Sequence, residues 1–186
     1  MALARAGGPA AVVLREATRR AGVVPNAAYR HFPSHLALLQ AVRAVALGRL
    51  AAAMEAELAA VPQAGDAAAQ SRAGLRAVGT AYMRFALAEP GLFRTGFAAN
   101  VPASAPALRG AGPGGLDPFE LLATALDRMV AAGALPAGRR PDAEYLAWSA
   151  VHGLAMLIID GPLHAWTAER AALIGQRLVD MVEAGL

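Results

Sequence analysis

An all-α fold is what this sequence predicts, and three observations carry it. Apolar residues recur at helical spacing along most of the 186 residues, no stretch alternates apolar and polar residues as a half-buried strand does, and helix start and stop signals punctuate the chain. The fold divides into a small head, residues 1–45, and a larger helical body, residues 46–186, a length that suits one small protein with its own core.

Within the head, Val13, Leu14, Ala17 and Ala21 fall on one side of a helix, with Arg15, Arg19 and Arg20 largely on the other. Gly22 supplies the left-handed residue that ends this helix, Val23 is placed to plug the corner, and Pro25 opens a second, short helix running to His31. Helix, tight glycine turn and short helix is the layout of a DNA-reading helix-turn-helix. Small residues at Ala27 and Ala28 let the backbone approach a groove, and Asn26 can bond an adenine edge with two prongs. Tyr29, Arg30 and His31 suit phosphates.

Beyond the head, Ser34 caps a long helix from about His35 to Val61 that leads into the body. A second long helix spans Asp66 to Glu89 and is stopped by Pro90-Gly91, with a shorter segment through Ala98. Asp117-Pro118-Phe119-Glu120 combines a cap, a proline at the first helical position and a Glu three residues after the cap. Asp142 and Thr167 cap the last two helices, separated by Gly161-Pro162.

Charge supports a nucleic-acid partner. The first fifty residues hold seven arginines against the single acid Glu16, whereas the rest holds ten arginines and thirteen acids, so the overall +3 conceals a basic head on a slightly acidic body. Every basic residue is Arg; with Ala and Gly also abundant, base composition explains this before function does. Without cysteine, disulfides and thiolate metal sites are excluded. The most apolar stretch, Leu146 to Ile159, is shorter than the roughly 20 residues a bilayer requires, and Met1-Ala2-Leu3-Ala4-Arg5 begins no signal peptide, so a cytoplasmic protein with no membrane partner is expected.

The run Gly22-Val23-Val24-Pro25-Asn26-Ala27-Ala28-Tyr29-Arg30-His31-Phe32-Pro33-Ser34, followed by Leu36-Ala37-Leu38-Leu39, resembles the DNA-binding domain of the TetR family of bacterial transcriptional regulators. Tyr82 to Arg94 and Trp148-Ser149-Ala150-Val151-His152-Gly153 are similar to a TetR ligand-binding domain class named for its tryptophan, histidine and glycine (WHG). Together the two cover most of the chain, the stretch from Val101 to Leu116 matching least.

The resemblance implies DNA contacts by Arg15, Arg19, Pro25, Asn26, Ala27, Tyr29, Arg30 and His31. It implies a homodimer on a palindromic double-stranded operator, because two-fold protein symmetry matches two half-sites. Trp148, Val151, Ala155, Leu173, Leu178 and Met181 are candidates for the subunit contact, each equally suited to the monomer core. A small apolar effector would occupy a pocket drawn from Tyr82, Phe85, Phe93, Phe97, Phe119, Met129, Trp148, His152 and Met156, although an aromatic or methionine at helical spacing is more often plain core. His152 has a bland role open to it, a hydrogen bond to a neighbouring carbonyl.

Two departures from the family pattern bear on the head. Met1 to Ala6 corresponds only to the tail of the helix that family members pack across the helix-turn-helix, which leaves open a start upstream of Met1 or a degraded head. Val12 or Val13, and Val24, stand where members place Ser or Thr caps, at a cost of about 1 kcal/mol each. The expected function is a ligand-responsive DNA-binding repressor; the alternative is a dimeric small-molecule-binding protein of the same fold with lost or weakened DNA binding. Catalysis is not expected: no phosphate loop, nucleophile elbow or metal triad is present, His31 and His35 flank a helix break at Pro33, and no cofactor or metal is called for.

Overall fold

The computed structural model describes residues 1–98 and 110–186; residues 99–109, which overlap the linker read from Val101 to Leu116, lie outside the described residues. Among the described residues the chain is all-helical, with α1 Ala2–Gly7, α2 Leu14–Ala21, α3 Pro25–Tyr29, α4 His35–Ala59, α5 Ala67–Ala88, α6 Pro90–Gly96, α7 Pro118–Ala131, α8 Ala143–Ile159 and α9 Ala168–Gly185. Short 3₁₀ turns occupy Pro9–Ala11 and Ala137–Arg139.

Local chemistry sets most boundaries. Ser34, Asp66, Asp117 and Thr167 each accept a backbone N–H of the helix they precede, and Asp117 with Glu120 forms a complete capping box. Gly22 closes α2 at φ 67°, a conformation that costs glycine nothing. Val13 and Val24 make no side-chain cap bond, as their chemistry requires. Asp142 does not cap: it stands at φ 62° before α8 with its side chain unbonded to the helix, so the turn and not an Asp cap starts that helix.

α5 lies at the centre of the body, packed against α4, α6, α7, α8 and α9. Leu50 and Met54 of α4, Leu75 and Val78 of α5, Leu126 and Met129 of α7 and Val179 of α9 form one buried cluster with their neighbours. Among the described residues, α4 is the one helix long and apolar enough to cross a membrane by length and composition, whereas the sequence offered Leu146 to Ile159 as the most apolar stretch. Leu38, Leu39, Leu47, Leu50 and Met54 along it are buried against the rest of the fold, as in a core helix.

The apolar stretch from Leu146 to Ile159 is only half core. Ala147, Val151 and Ala155 face inward while Leu146 and Leu157 face out, because α8 lies at the edge of the body.

A separate small core builds the head from Ala4, Val12, Leu14, Leu38, Leu39 and Ala46, together with Leu92 of α6. The short α1 thus contributes a fully buried residue, and Val12 in the following turn helps cover Leu14. Val13 and Val23 stay about half exposed, so Val23 does not plug the corner; Thr18 on α2 is buried, its hydroxyl turned back to the Arg15 carbonyl at 2.8 Å. His35 Nε2–H donates to the Val12 carbonyl at 2.7 Å and ties the start of α4 to the turn before α2.

Candidate functional site

The first site is the head surface. α2 and α3 meet at the Gly22 turn, and Arg15, Arg19, Asn26, Tyr29, Arg30 and His31 are all exposed on it, with Ala27 half-buried and Pro25 at the first position of α3. The short helix ends at Tyr29, two residues earlier than the sequence suggested, leaving Arg30 and His31 in the turn before α4. Arg19 is engaged: its Nε and Nη2 donate to the two carboxylate oxygens of Glu16 at 2.7 Å each, and Arg20 Nε joins them at 2.8 Å. Those hydrogen bonds, first from Arg19 and then from Arg20, hold the Glu16 carboxyl down to about 2.

The second site is a cavity of about 490 Å³ inside the body, a size that accommodates a small organic ligand. Its wall includes Leu47 and Met54 of α4, Leu75, Val78 and Tyr82 of α5, Phe97, Phe119, Trp148 and Val151, and Val179 and Val182 of α9. Arg43, Asp117 and Glu120 bring charge to it, and Tyr145, whose ring lies 5.4 Å from Phe119, stands at a half-exposed edge. Burial pulls the Arg43 guanidinium below its ordinary value, opposed by attraction to Asp117.

Of the nine candidate pocket residues, Tyr82, Phe97, Phe119 and Trp148 line the cavity. Phe93 and His152 stand immediately behind them, Phe93 edge-on to Tyr82 at 5.3 Å and His152 at 4.9 Å from Phe97. Phe85, Met129 and Met156 do not line it and pack in or against the cores instead. Leu47, Met54, Val78 and Val179 were missed because an aliphatic residue beside a cavity has the same sequence signature as one in solid core. Asp117 was read as a cap only, and Arg43 only as charge.

Three polar groups around the cavity satisfy one another. Trp148 Nε1–H can only donate, and it donates to Tyr82 Oη at 3.0 Å. That leaves the Tyr82 hydroxyl proton for His152 Nδ1 at 2.7 Å, which places the imidazole proton on Nε2. His152 therefore bonds a tyrosine on another helix and not a neighbouring carbonyl. Burial pushes the Tyr82 hydroxyl up and the His152 imidazole down, so both are neutral at pH 7.

The His152 environment gives a pH dependence of defined sign. The unfolded ring regains its ordinary value near 6.5 and takes up a proton that the folded ring refuses, so stability is full above about pH 6.5 and falls as pH drops through and below it. Thermal midpoints from pH 8 to 5.5 should fall more for the wild-type chain than for His152→Gln, which has nothing to titrate there. Parallel curves would contradict a neutral, buried His152.

α6 joins the two sites. Phe97, directly after it, lines the cavity, and Phe93 backs the same wall. On the other side, Gly91 faces the carbonyl oxygens of Ala4 and Arg5 in α1, where a Cβ would overlap them, and the Arg5 guanidinium grips the Glu89 carboxylate at 2.6 and 2.7 Å. Among the described residues, no cluster of three or more His, Cys, Asp or Glu is arranged to hold a metal ion.

A helix-turn-helix layout thus leads through α4 into an all-helical body that holds a cavity. The model of the tetracyclin repressor-like C-terminal domain matches residues 75–182, more than half of the chain. The chain belongs to the tetracyclin repressor, or TetR, family, which places it among transcriptional regulators. The structure of a protein of unknown function from Rhodococcus sp. RHA1 is similar over 95% of this chain and 85% of its own, at 26% identity and a TM-score of 0.73. The TetR family transcriptional regulator PfmR from Thermus thermophilus shares the fold over 99% of this chain and 97% of its own, at 22% identity and a TM-score of 0.65. No curated protein matches the sequence.

Proposed function

We propose that the chain is a ligand-responsive repressor of the TetR type. A homodimer holds a palindromic operator through two heads, and a small apolar effector in the cavity shifts the population toward a form whose heads no longer fit the half-site spacing. The observation that carries this reading is α6, seven residues long, whose Phe93 and following Phe97 meet the cavity wall while its Gly91 meets the head. Packed cores shift between discrete arrangements, so a ligand that displaces Phe97 has a direct route to α1.

The surface for a second copy is the outer stripe of α8 and α9. Leu146, Ser149, Gly153 and Leu157 recur every three or four residues on α8, all exposed, beside exposed Leu173 and Met181 on α9. Of the six residues offered for subunit contact by the sequence, Leu173 and Met181 lie here; Val151 and Ala155 are core, Trp148 faces the cavity and Leu178 packs against the core. A Cβ placed at Gly153 would meet nothing within 4 Å beyond its own helix, which leaves room for close approach of a partner helix. The variant Leu146→Arg/Leu157→Arg is expected to sediment as a monomer and to lose palindrome binding; an unchanged dimer would remove α8 from the contact.

The test of the whole reading is affinity for DNA flanking the chain's own gene, compared with a shuffled duplex across salt concentrations. A specific binder prefers one palindrome by at least about 1,000-fold, with affinity falling steeply as salt rises. A second reading, a dimeric small-molecule-binding protein with lost DNA binding, is favoured by the two valine caps, which leave the first N–H groups of α2 and α3 without side-chain partners. It predicts no sequence preference at any salt while thermal stability still rises with apolar ligands.

A further inference from the structure

We propose that Glu16 sets the strength of sequence-independent DNA binding, by occupying Arg19 and Arg20 so that fewer guanidiniums are available to phosphates of any duplex. This rests on the DNA-binding reading above and deepens it. Glu16 is the single acid among the first fifty residues, and it sits on α2, the helix that in a helix-turn-helix crosses the DNA backbone.

The geometry is unusual for so sparse an acid. One carboxylate meets two of the seven arginines in the first fifty residues, i,i+3 and i,i+4 along one face, and it takes the Nε and Nη2 edge of Arg19, the two-pronged fork that would otherwise grip a phosphate. Arg15 and Arg30, by contrast, form no ion pair among the described residues. Arg19 and Arg20 remain exposed, with 70% and 50% of their side-chain surface accessible, so a phosphate reaches them only in competition with Glu16. Phosphate contacts carry no sequence information, so this competition weakens binding to every duplex while the base-edge groups on α3 are untouched. Against a genome of competing sites, such a restraint limits the time a head spends on the wrong DNA.

The experiment measures affinity and salt dependence on a shuffled duplex and on the gene-flanking palindrome, for the wild-type chain, Glu16→Gln, Glu16→Ala, Arg19→Gln/Arg20→Gln, and Glu16→Gln/Arg19→Gln/Arg20→Gln. Glu57→Gln, which removes one acid paired with Arg84 in the body, is the charge control. Helicity of each variant is followed by circular dichroism; alanine, the best helix former, covers the case in which glutamine disturbs α2.

Glu16→Gln and Glu16→Ala are expected to bind the shuffled duplex about three- to tenfold tighter at 100 mM salt. Their log–log salt slopes should be steeper by about one to two, corresponding to one or two added phosphate contacts. The gain must vanish when Arg19 and Arg20 are both Gln, and Glu57→Gln must not reproduce it. Unchanged or weaker binding by both Glu16 variants overturns the proposal, as does a gain that persists without the two arginines or appears equally in Glu57→Gln. No binding by any of these proteins at low salt overturns the DNA-binding reading, and the proposal with it, whereas binding by the wild type with no Glu16 effect overturns the proposal alone.

Discussion

Phe93→Ala should cost about 3–5 kcal/mol of stability, near 10 °C or more in thermal midpoint for a chain of this size. Phe93 is 1% exposed, and its ring packs on Tyr82 at 5.3 Å, Phe97 at 4.9 Å and His152 at 5.4 Å. Truncation removes a whole ring from a buried site packed against Tyr82 of α5 and His152 of α8, which limits how far the surroundings can collapse. It also leaves Tyr82 and Phe97 without the surface that fixes their orientation along the cavity. Denaturant unfolding of the two proteins provides the measurement. A loss below 1 kcal/mol would mean that Phe93 is loosely held and α6 is not anchored in the body.

Gly91→Ala is the second large effect, by the opposite mechanism. A Cβ at this position would overlap the carbonyl oxygens of Ala4 and Arg5, which are backbone atoms and cannot swing aside as the end of a side chain can. α1 or α6 must move, and overpacking of this kind costs about 1–3 kcal/mol. Because Ala4 is wholly buried and Leu92 shares its cluster, the expected relief is release of α1, read as new protease cleavage after Arg5 and faster amide exchange in Ala2–Gly7. Glu89→Gln is the useful contrast. It breaks the Arg5 pair, but Arg5 is about half exposed and such pairs contribute about 0–1 kcal/mol, so α1 should remain docked. An undiminished midpoint for Gly91→Ala would show that α1 does not rest on α6.

These two residues mark where sequence reading stops. The caps at Ser34, Asp66, Asp117 and Thr167, the left-handed Gly22 and the proline starts of α3, α6 and α7 are local chemistry, so the helix order and most boundaries are legible in the chain. The docking of α1 on α6 joins residues 84 positions apart in sequence, Arg5 to Glu89, and no local pattern encodes it. Gly91 reads only as part of a helix stop, although its missing side chain is what lets α1 approach.

The candidate cavity was legible through its aromatics and not through its aliphatics. Tyr82, Phe97, Phe119 and Trp148 carry bulk, and Tyr82 and Trp148 a polar handle as well, whereas Val78 and Val179 look the same in a cavity wall as in solid core. α8 defeated the reading for a different reason. It is apolar nearly all round, so Val151 facing the body and Leu157 facing solvent cannot be told apart by periodicity. Asp142 misled because an Asp before a helix signals a cap only when its backbone is extended, and here it is left-handed.

The proposed repressor couples its head to its cavity through α6. The most direct test titrates the gene-flanking palindrome with the protein, by fluorescence anisotropy, in the absence and presence of an uncharged aromatic probe such as N-phenyl-1-naphthylamine, and then titrates the probe with and without the palindrome. Coupling between two binding sites is reciprocal, so the account predicts that the probe weakens the palindrome by some factor, about 5- to 150-fold, and that the palindrome weakens the probe by the same factor. A probe that binds the cavity and raises the thermal midpoint while leaving palindrome affinity unchanged would contradict it.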